Sequence, residues 1–165
     1  DLRQVSIEFA NKRINIPQTL FTGMLPSGTH TYGNYKAVKI PGWMNLPSYS
    51  SIDGISPDSE VEASVPRSPA SPPNVQIMFA GKMTYADPSI IPSIMPLHPE
   101  AEIVWFTNEN GQATFNVGLT TWACDLIDTC AYSTVDDKSR AVMDQVTTTV
   151  IKLWEKQKVG LTLKN

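Results

Sequence analysis

The sequence contains little charge, cysteine or histidine. Its 165 residues include 13 Lys and Arg and 16 Asp and Glu, which gives a net charge of −3, and charged residues make up only 18% of the chain. The basic residues are scattered, with only Lys12 and Arg13 adjacent, so no basic stripe can neutralise a phosphate backbone. We therefore predict that nucleic acid is not a partner.

Long apolar runs are also missing. No stretch approaches the roughly 18 consecutive apolar residues of a membrane-spanning helix. The apolar segment 90–97 is interrupted by Pro92 and Pro96. The sequence therefore predicts no membrane span. Proline is abundant instead, with 13 residues, and Ser and Thr are frequent. This composition is typical of turns, strands and surfaces made polar by hydroxyl groups.

No motif for a cofactor, a nucleotide or a metal is present. The chain contains neither Gly-x-x-x-x-Gly-Lys nor Gly-x-Gly-x-x-Gly, so nucleotide binding has no support in the sequence. His30 and His98 are the only histidines, and they do not combine with the two cysteines at zinc-ligand spacing. We predict that the protein uses no cofactor and no metal.

Cys124 and Cys130 are six positions apart. On a helix this spacing is a rotation of about 600°, which directs the two side chains to different faces. On a strand it separates them by about 20 Å. Neither arrangement brings the Cα atoms within the roughly 7 Å that a disulfide requires. We therefore expect two free, buried thiols, whereas a disulfide would require this segment to form a loop.

Two segments alternate between apolar and polar residues as strands do. Residues 74–85 place Val75, Ile77 and Phe79 on one side, and Gly81 indicates a bulge or a close backbone approach. We expect this segment to be a central strand. Residues 5–9 alternate in the same way and predict the first strand.

A hairpin is predicted in the second half of the chain. The β-rich runs 102–107 and 112–119 lie on either side of the segment Asn108-Glu109-Asn110-Gly111. Asn-Gly tolerates positive φ, which is typical of a tight turn between antiparallel strands. The sequence therefore predicts two adjacent strands here.

The apolar period then lengthens towards that of a helix. Residues 120–132 predict a short amphipathic helix capped by Thr120 or Thr121, with Asp125 and Asp128 on the polar side. Residues 133–160 predict a longer helix that is capped by Ser133 or Thr134 and ends at Gly160. A strand is the alternative for its middle part, because Val146-Thr-Thr-Thr-Val-Ile151 is β-branched throughout. The strand would have a poor apolar face, so the helix is favoured.

These elements predict a single α+β domain over residues 1–165. It would contain a mostly antiparallel sheet, one or two C-terminal helices packed on that sheet, and long Pro-rich loops. Residues 53–74 are expected to be an extended Pro/Ser-rich loop, since they contain too few apolar side chains to fold alone. The residues before this segment are poor in core side chains, which favours a loop of one domain over a linker between two.

Candidate binding residues lie in the first half of the chain. Residues 26–35 combine turn formers with aromatic residues, which predicts an exposed loop with an aromatic rim. Trp43 follows the Pro41-Gly42 turn signal in an irregular segment and is expected to be partly exposed. The proposed binding surface comprises Tyr32, Tyr35, Trp43 and Tyr49. The other tryptophans lie in regular elements and are expected to be buried: Trp105, Trp122 and Trp154.

The function indicated by these features is non-enzymatic. We expect a recognition or structural module, an exposed domain of a larger assembly, that binds a protein or a glycan and is compatible with homo-oligomerisation. A protruding domain of a virus coat protein, located at the virion surface, has this kind of composition.

A small hydrolase is the alternative hypothesis. His30 lies in a loop-like segment rich in glycine and hydroxyl groups, and it could act as a general base with Asp53 or Asp58 and the hydroxyl of Ser27 or Thr31. The chain has no Gly-x-Ser-x-Gly elbow to support this arrangement. A close approach of the three side chains beside a cleft would favour the enzyme.

Overall fold

The computed structural model describes residues 25–47, 50–63, 72, 74–87, 89, 99–107, 111, 113–131 and 133–162; for residues 25–30, 32, 55–60, 62–63 and 157–162 the backbone alone is described. The elements in this part of the chain are β1 (Leu25–Ala37), a 3-10 helix (Gly42–Met44), β2 (Ser51–Ala63), β3 (Gln76–Tyr85), β4 (Glu100–Thr107), β5 (Ala113–Asn116), α1 (Trp122–Leu126) and α2 (Asp137–Thr162). The strand expected at residues 5–9 lies outside the described residues.

The five strands form one antiparallel sheet in the order β2-β1-β3-β4-β5. The expected central strand is β3, and the expected hairpin is the β4–β5 pair, with Gly111 at φ 75° in the connection. The C-terminal helix α2 packs on the sheet. The α+β class is therefore confirmed.

The sheet curls strongly from one edge to the other. Leu119, which follows β5, forms an antiparallel bridge with Val61 of β2, at the opposite edge. Strand twist accumulates across a sheet and allows this approach of its two edges. The sheet therefore wraps around the apolar side chains between it and α2.

The main core joins side chains of the sheet to one face of α2. The helix contributes Met143, Val146 and Val150, none of which is more than 1% exposed. The sheet residues that are buried with them include Tyr35, Ile52, Val61, Phe79, Met83 and Ile103. A second cluster contains Val75, Val104 and Phe106. Strand β4 therefore buries alternate residues in two clusters, which explains its continuous apolar run.

Two segments expected to be loops belong to strands. Residues 26–35 lie in β1, and residues 53–63 lie in β2. The two strands pair with several register shifts between Pro26 and Tyr35, so irregular backbone replaces the simple alternation that sequence patterns detect. Main-chain pairing stabilises these residues despite their weak strand propensity. Residues 64–71 and 73 of the expected loop lie outside the described residues.

Cys124 and Cys130 form a disulfide, with their Cα atoms 4.9 Å apart. The expectation of two free thiols is wrong because α1 ends at Leu126 instead of continuing to Cys130. Asp128 adopts a left-handed conformation with φ 57°, and the N–H of Thr129 donates a hydrogen bond to the Cys124 carbonyl at 2.8 Å. This Schellman closure reverses the chain and brings Cys130 back to Cys124.

Helix α2 covers the segment for which helix and strand were both considered, so the helix is confirmed. It continues to Thr162, and Gly160 does not end it. Its cap is Asp136, whose Oδ1 accepts a hydrogen bond from the Ser139 N–H at 2.7 Å. The expected cap Thr134 instead donates from its hydroxyl to the Gly54 carbonyl at 3.1 Å.

Gly54 lies where the backbones of two elements meet. Its φ is +80°, and a Cβ built on it would collide with the main-chain carbonyl of Thr134. Its N–H donates to Asn34 Oδ1 at 2.9 Å. A Cβ at Gly81 would collide with the main-chain oxygen of Asn34. The close backbone approach that the sequence predicts at Gly81 is therefore present. Gly54 therefore allows β2 to approach the backbone of Thr134, and Gly81 allows β3 to approach β1.

Gly54→Ala is expected to lower the free energy of unfolding by about 2 kcal/mol or more, because alanine is strained at positive φ and meets the Thr134 carbonyl. Gly42→Ala is the matched control, since a Cβ at Gly42 has no neighbour within 4 Å. Urea denaturation measures both variants. Equal stabilities for the two variants would contradict the close approach.

The Asp136 cap gives a pH-dependent prediction. Hydrogen bonds from the N–H and then the hydroxyl of Ser139 hold the pKa of Asp136 below its ordinary value of 3.8. The stabilisation is therefore fully present above that ordinary value and is lost as the pH falls through the folded-state pKa. Asp136→Ala should lower the thermal midpoint at neutral pH, and the deficit should shrink below about pH 4. Thermal melting curves of both proteins across this pH range test the prediction. A difference in thermal midpoint that stays the same in acid would refute the role of ionised Asp136 as the cap.

Candidate functional site

Trp43 and Tyr35 are the predicted binding residues whose side chains the structure describes, and of these two Trp43 lies at the surface. It lies in the 3-10 helix between β1 and β2, and 40% of the residue is exposed. The N–H of Met44 donates to the Pro41 carbonyl at 2.9 Å, and Asn45 closes the turn in a left-handed conformation with φ 53°. The Pro41-Gly42 turn signal therefore placed this tryptophan correctly.

The Trp43 ring packs against a buried aromatic ring. It contacts the ring of Trp105 on β4, with the two centroids 5.0 Å apart and the planes inclined at 56°. Trp105 is only 9% exposed, and Met44 beside Trp43 is buried in the main core. Such tilted aromatic pairs contribute about 0.5–1.5 kcal/mol beyond their buried area. The exposed indole therefore has a rigid support.

Helix α2 also holds the segment that contains Trp43. The Gln145 side chain donates to the Asn45 carbonyl at 3.3 Å. Leu46, one residue later, packs partly buried against the main core. In the same connection Val38 is 61% exposed. We define the Trp43 surface as Trp43 with the exposed parts of residues 38–45.

Tyr35 does not belong to this surface. It is fully buried, and its hydroxyl donates to the Val117 carbonyl at 3.1 Å. The expectation that Tyr35 binds a partner is therefore wrong, because β1 directs this side chain into the core. Tyr32 lies in β1 but its side chain is not described, and Tyr49 lies outside the described residues. Trp154, which was expected to be buried, is 36% exposed on α2.

The register of β1 and β2 places Asp53 away from His30, whereas it pairs Thr31 with Ser59, next to Asp58. Asp53 lies beside Asn34, because the Asn34 side chain accepts a hydrogen bond from the N–H of Gly54, the residue after Asp53. The Asp53 carboxylate accepts a hydrogen bond from the Ser51 hydroxyl at 3.0 Å. His30 precedes Asn34 by four positions, or about 13 Å along a strand. That distance is too long for a direct hydrogen bond between His30 and Asp53. The side chains of Ser27 and His30 are not described.

Asp125 is a buried carboxylate that sequence reasoning missed. It is 0% exposed, and neither of its carboxylate oxygens has a hydrogen-bond partner among the described residues. The helical pattern had placed it on the polar side with Asp128, whose side chain is indeed 68% exposed. No signal in the sequence distinguishes the two aspartates, because the early end of α1 decides which of them is buried.

Other chemical groups are sparse in the part of the chain that the structure describes. No cluster there of three or more His, Cys, Asp or Glu side chains could hold a metal ion. No described helix combines the length and the apolar character that crossing a membrane requires. No protein-family model, curated protein or solved structure matches the chain. Functional conclusions therefore depend on the geometry around Trp43.

Tyr35→Phe tests the assignment of Tyr35 to the core. The change removes a hydroxyl and leaves the Val117 carbonyl without this donor, so we expect a loss of about 1 kcal/mol in the free energy of unfolding. Chemical denaturation measures this loss. A variant as stable as the original protein would indicate that the hydroxyl makes no buried hydrogen bond.

Proposed function

We propose that the chain is a non-enzymatic recognition module, an exposed domain of a larger assembly, which binds a protein partner through the Trp43 surface. The observation that carries this proposal is the position of Trp43: two-fifths of the residue is exposed while its ring is supported by buried Trp105. Tryptophan is enriched among the residues that dominate binding energy.

Rigidity makes Trp43 suitable for this role. Fixing a mobile side chain on binding costs about 0.5–1.5 kcal/mol, and that cost is reduced where the ring is already held. Contacts on several sides hold the Trp43 segment: Met44 in the core, Trp105 under the ring, and Gln145 on the Asn45 carbonyl. A partner therefore meets an anchor that is already ordered.

The surroundings of Trp43 favour a protein over a glycan. An indole can stack on either, but a glycan site also needs several polar groups that converge on the sugar hydroxyls. Among the described residues of the same connection, the most exposed large apolar side chain is Val38. An apolar neighbour adds buried area against a protein side chain and gives a sugar hydroxyl no hydrogen bond.

The hydrolase hypothesis has weaker support than the recognition module. The strand register places Asp53 about four strand positions from His30, which weakens the version of the hypothesis that uses Asp53. An assembly role also agrees with the low charged fraction of 18%. A protruding domain of a virus coat protein, at the virion surface, is one assembly domain of this kind, and that part of the proposal is based on composition.

A displayed library of short neutral peptides tests the proposal. Trp43→Ala should weaken binding of the selected peptides by about 30-fold, the loss expected for a central anchor. Trp154→Ala is the matched control, because Trp154 is exposed to a similar extent but lies on α2. The thermal midpoint of Trp43→Ala should remain within a few degrees of that of the original protein.

Three outcomes would count against the proposal. Selected peptides that bind equally well to Trp43→Ala would place the site elsewhere. Collapse of the fold in Trp43→Ala would make the ring a core residue. Trp43-dependent binding on a glycan array without any peptide binding would replace the protein partner with a glycan.

A further inference from the structure

The disulfide-closed turn, residues 124–130, contains an energetic conflict. The bridge between Cys124 and Cys130 fixes the segment that carries Asp125. Asp125 is 0% exposed, and within the part of the chain that the structure describes both of its carboxylate oxygens are buried without a hydrogen-bond partner. Burying a carboxylate without compensation is strongly unfavourable. The covalent bridge therefore holds the turn in a conformation that the Asp125 side chain opposes.

Arg140 does not relieve this conflict. Its Nη1 donates to the main-chain carbonyl of Asp125 at 2.8 Å, and its Nη2 donates to the Val135 carbonyl at 2.8 Å. Its ion pair is with Asp128, at 3.2 Å between Nη1 and Oδ1, and its Nε lies 4.0 Å from Asp137. The guanidinium thus attaches the turn to the start of α2 but leaves the Asp125 carboxylate uncompensated.

The bridge lies in a partly exposed part of the turn. Cys124 and Cys130 are both of intermediate exposure, and the residues around Cys130 are exposed, among them Thr129 and Ala131. Apart from the bridge, two main-chain hydrogen bonds close the turn, from Asp128 to the Asp125 carbonyl at 3.4 Å and from Thr129 to the Cys124 carbonyl at 2.8 Å. The Thr129 hydroxyl adds a longer hydrogen bond to the Cys124 carbonyl at 3.5 Å. Among the described residues of the turn, only these hydrogen bonds oppose its opening once the bridge is reduced.

We propose that Cys124–Cys130 is a site of reversible thiol–disulfide exchange with a dithiol reductant, and that its reduction releases Asp125 to water. A thiolate of the reductant attacks one sulfur of the bridge, forms a mixed disulfide and expels the other cysteine as a thiolate. The second thiol of the reductant then displaces the first cysteine. Two electrons pass to the bridge, which takes up two protons, and the reductant leaves as a disulfide.

Reduction acts on the contact between the turn and α2. When the turn opens, Arg140 loses the Asp125 carbonyl and the Asp128 carboxylate but keeps the Val135 carbonyl. The core face of α2 is held separately by the sheet, through residues such as Met143 and Val146. Opening of the turn is therefore a local change, and the domain stays folded.

Equilibration in buffers of reduced and oxidised dithiothreitol tests the proposal. Because Asp125 favours the open turn, Asp125→Asn should shift the exchange equilibrium towards the bridge by about tenfold, which is about 30 mV in reduction potential. Asp128→Asn is the control: asparagine also tolerates the left-handed conformation, and the change removes only an exposed ion pair, so its equilibrium should stay within about twofold. An Asp125→Asn protein with the original equilibrium, or one shifted towards the thiols, would overturn the proposal.

Hydrogen exchange of the unmodified protein provides a test that does not depend on a variant. Reduction should reduce protection at the Asp128 and Thr129 amides by about 100-fold or more, because local opening then exposes them. Protection at Met143 and Val146 should be retained. Retained protection of the turn amides would overturn the proposal, and so would loss of protection throughout α2, since the bridge would then be a structural link of the whole fold.

Discussion

The packing of α2 against the curled sheet is the interaction on which the rest of the structure depends. Met143, Val146 and Val150 enter the main core with no more than 1% exposure, and each contributes about 1.5–3 kcal/mol by burial. The same helix holds the Trp43 segment through Gln145 and the disulfide-closed turn through Arg140. Both features of functional interest are therefore attached to one packed helix.

The sequence predicts the elements whose patterns are local. The Asn-Gly pair between two β-rich runs was sufficient to predict the β4–β5 hairpin. The alternation of apolar and polar residues was sufficient to predict β3. Helix α2 forms despite its β-branched middle, because residues such as Val146 and Val150 share one helical face and are buried together. In each case the side chains within one segment carry enough information.

The sequence fails where a distant contact decides the structure. Strands β1 and β2 contain Gly, Pro and Ser in place of a regular apolar alternation, and they depend on pairing with each other across a shifted register. The disulfide depends on a left-handed residue, Asp128, which no periodic pattern reveals. At the site, the Pro-Gly turn identified Trp43 as exposed, whereas the inward direction of Tyr35 was set by its position in β1. The burial of Asp125 follows from the early end of α1, so the sequence pattern did not predict it either.

The central claim is that Trp43 is an ordered anchor at the surface of a recognition domain. The four tryptophans allow a direct test, because each indole N–H gives its own NMR signal. Titration with a peptide selected from the neutral library should shift the signal of Trp43 most and leave that of Trp154 unchanged. A shift confined to Trp154, or equal shifts at both residues, would contradict the account.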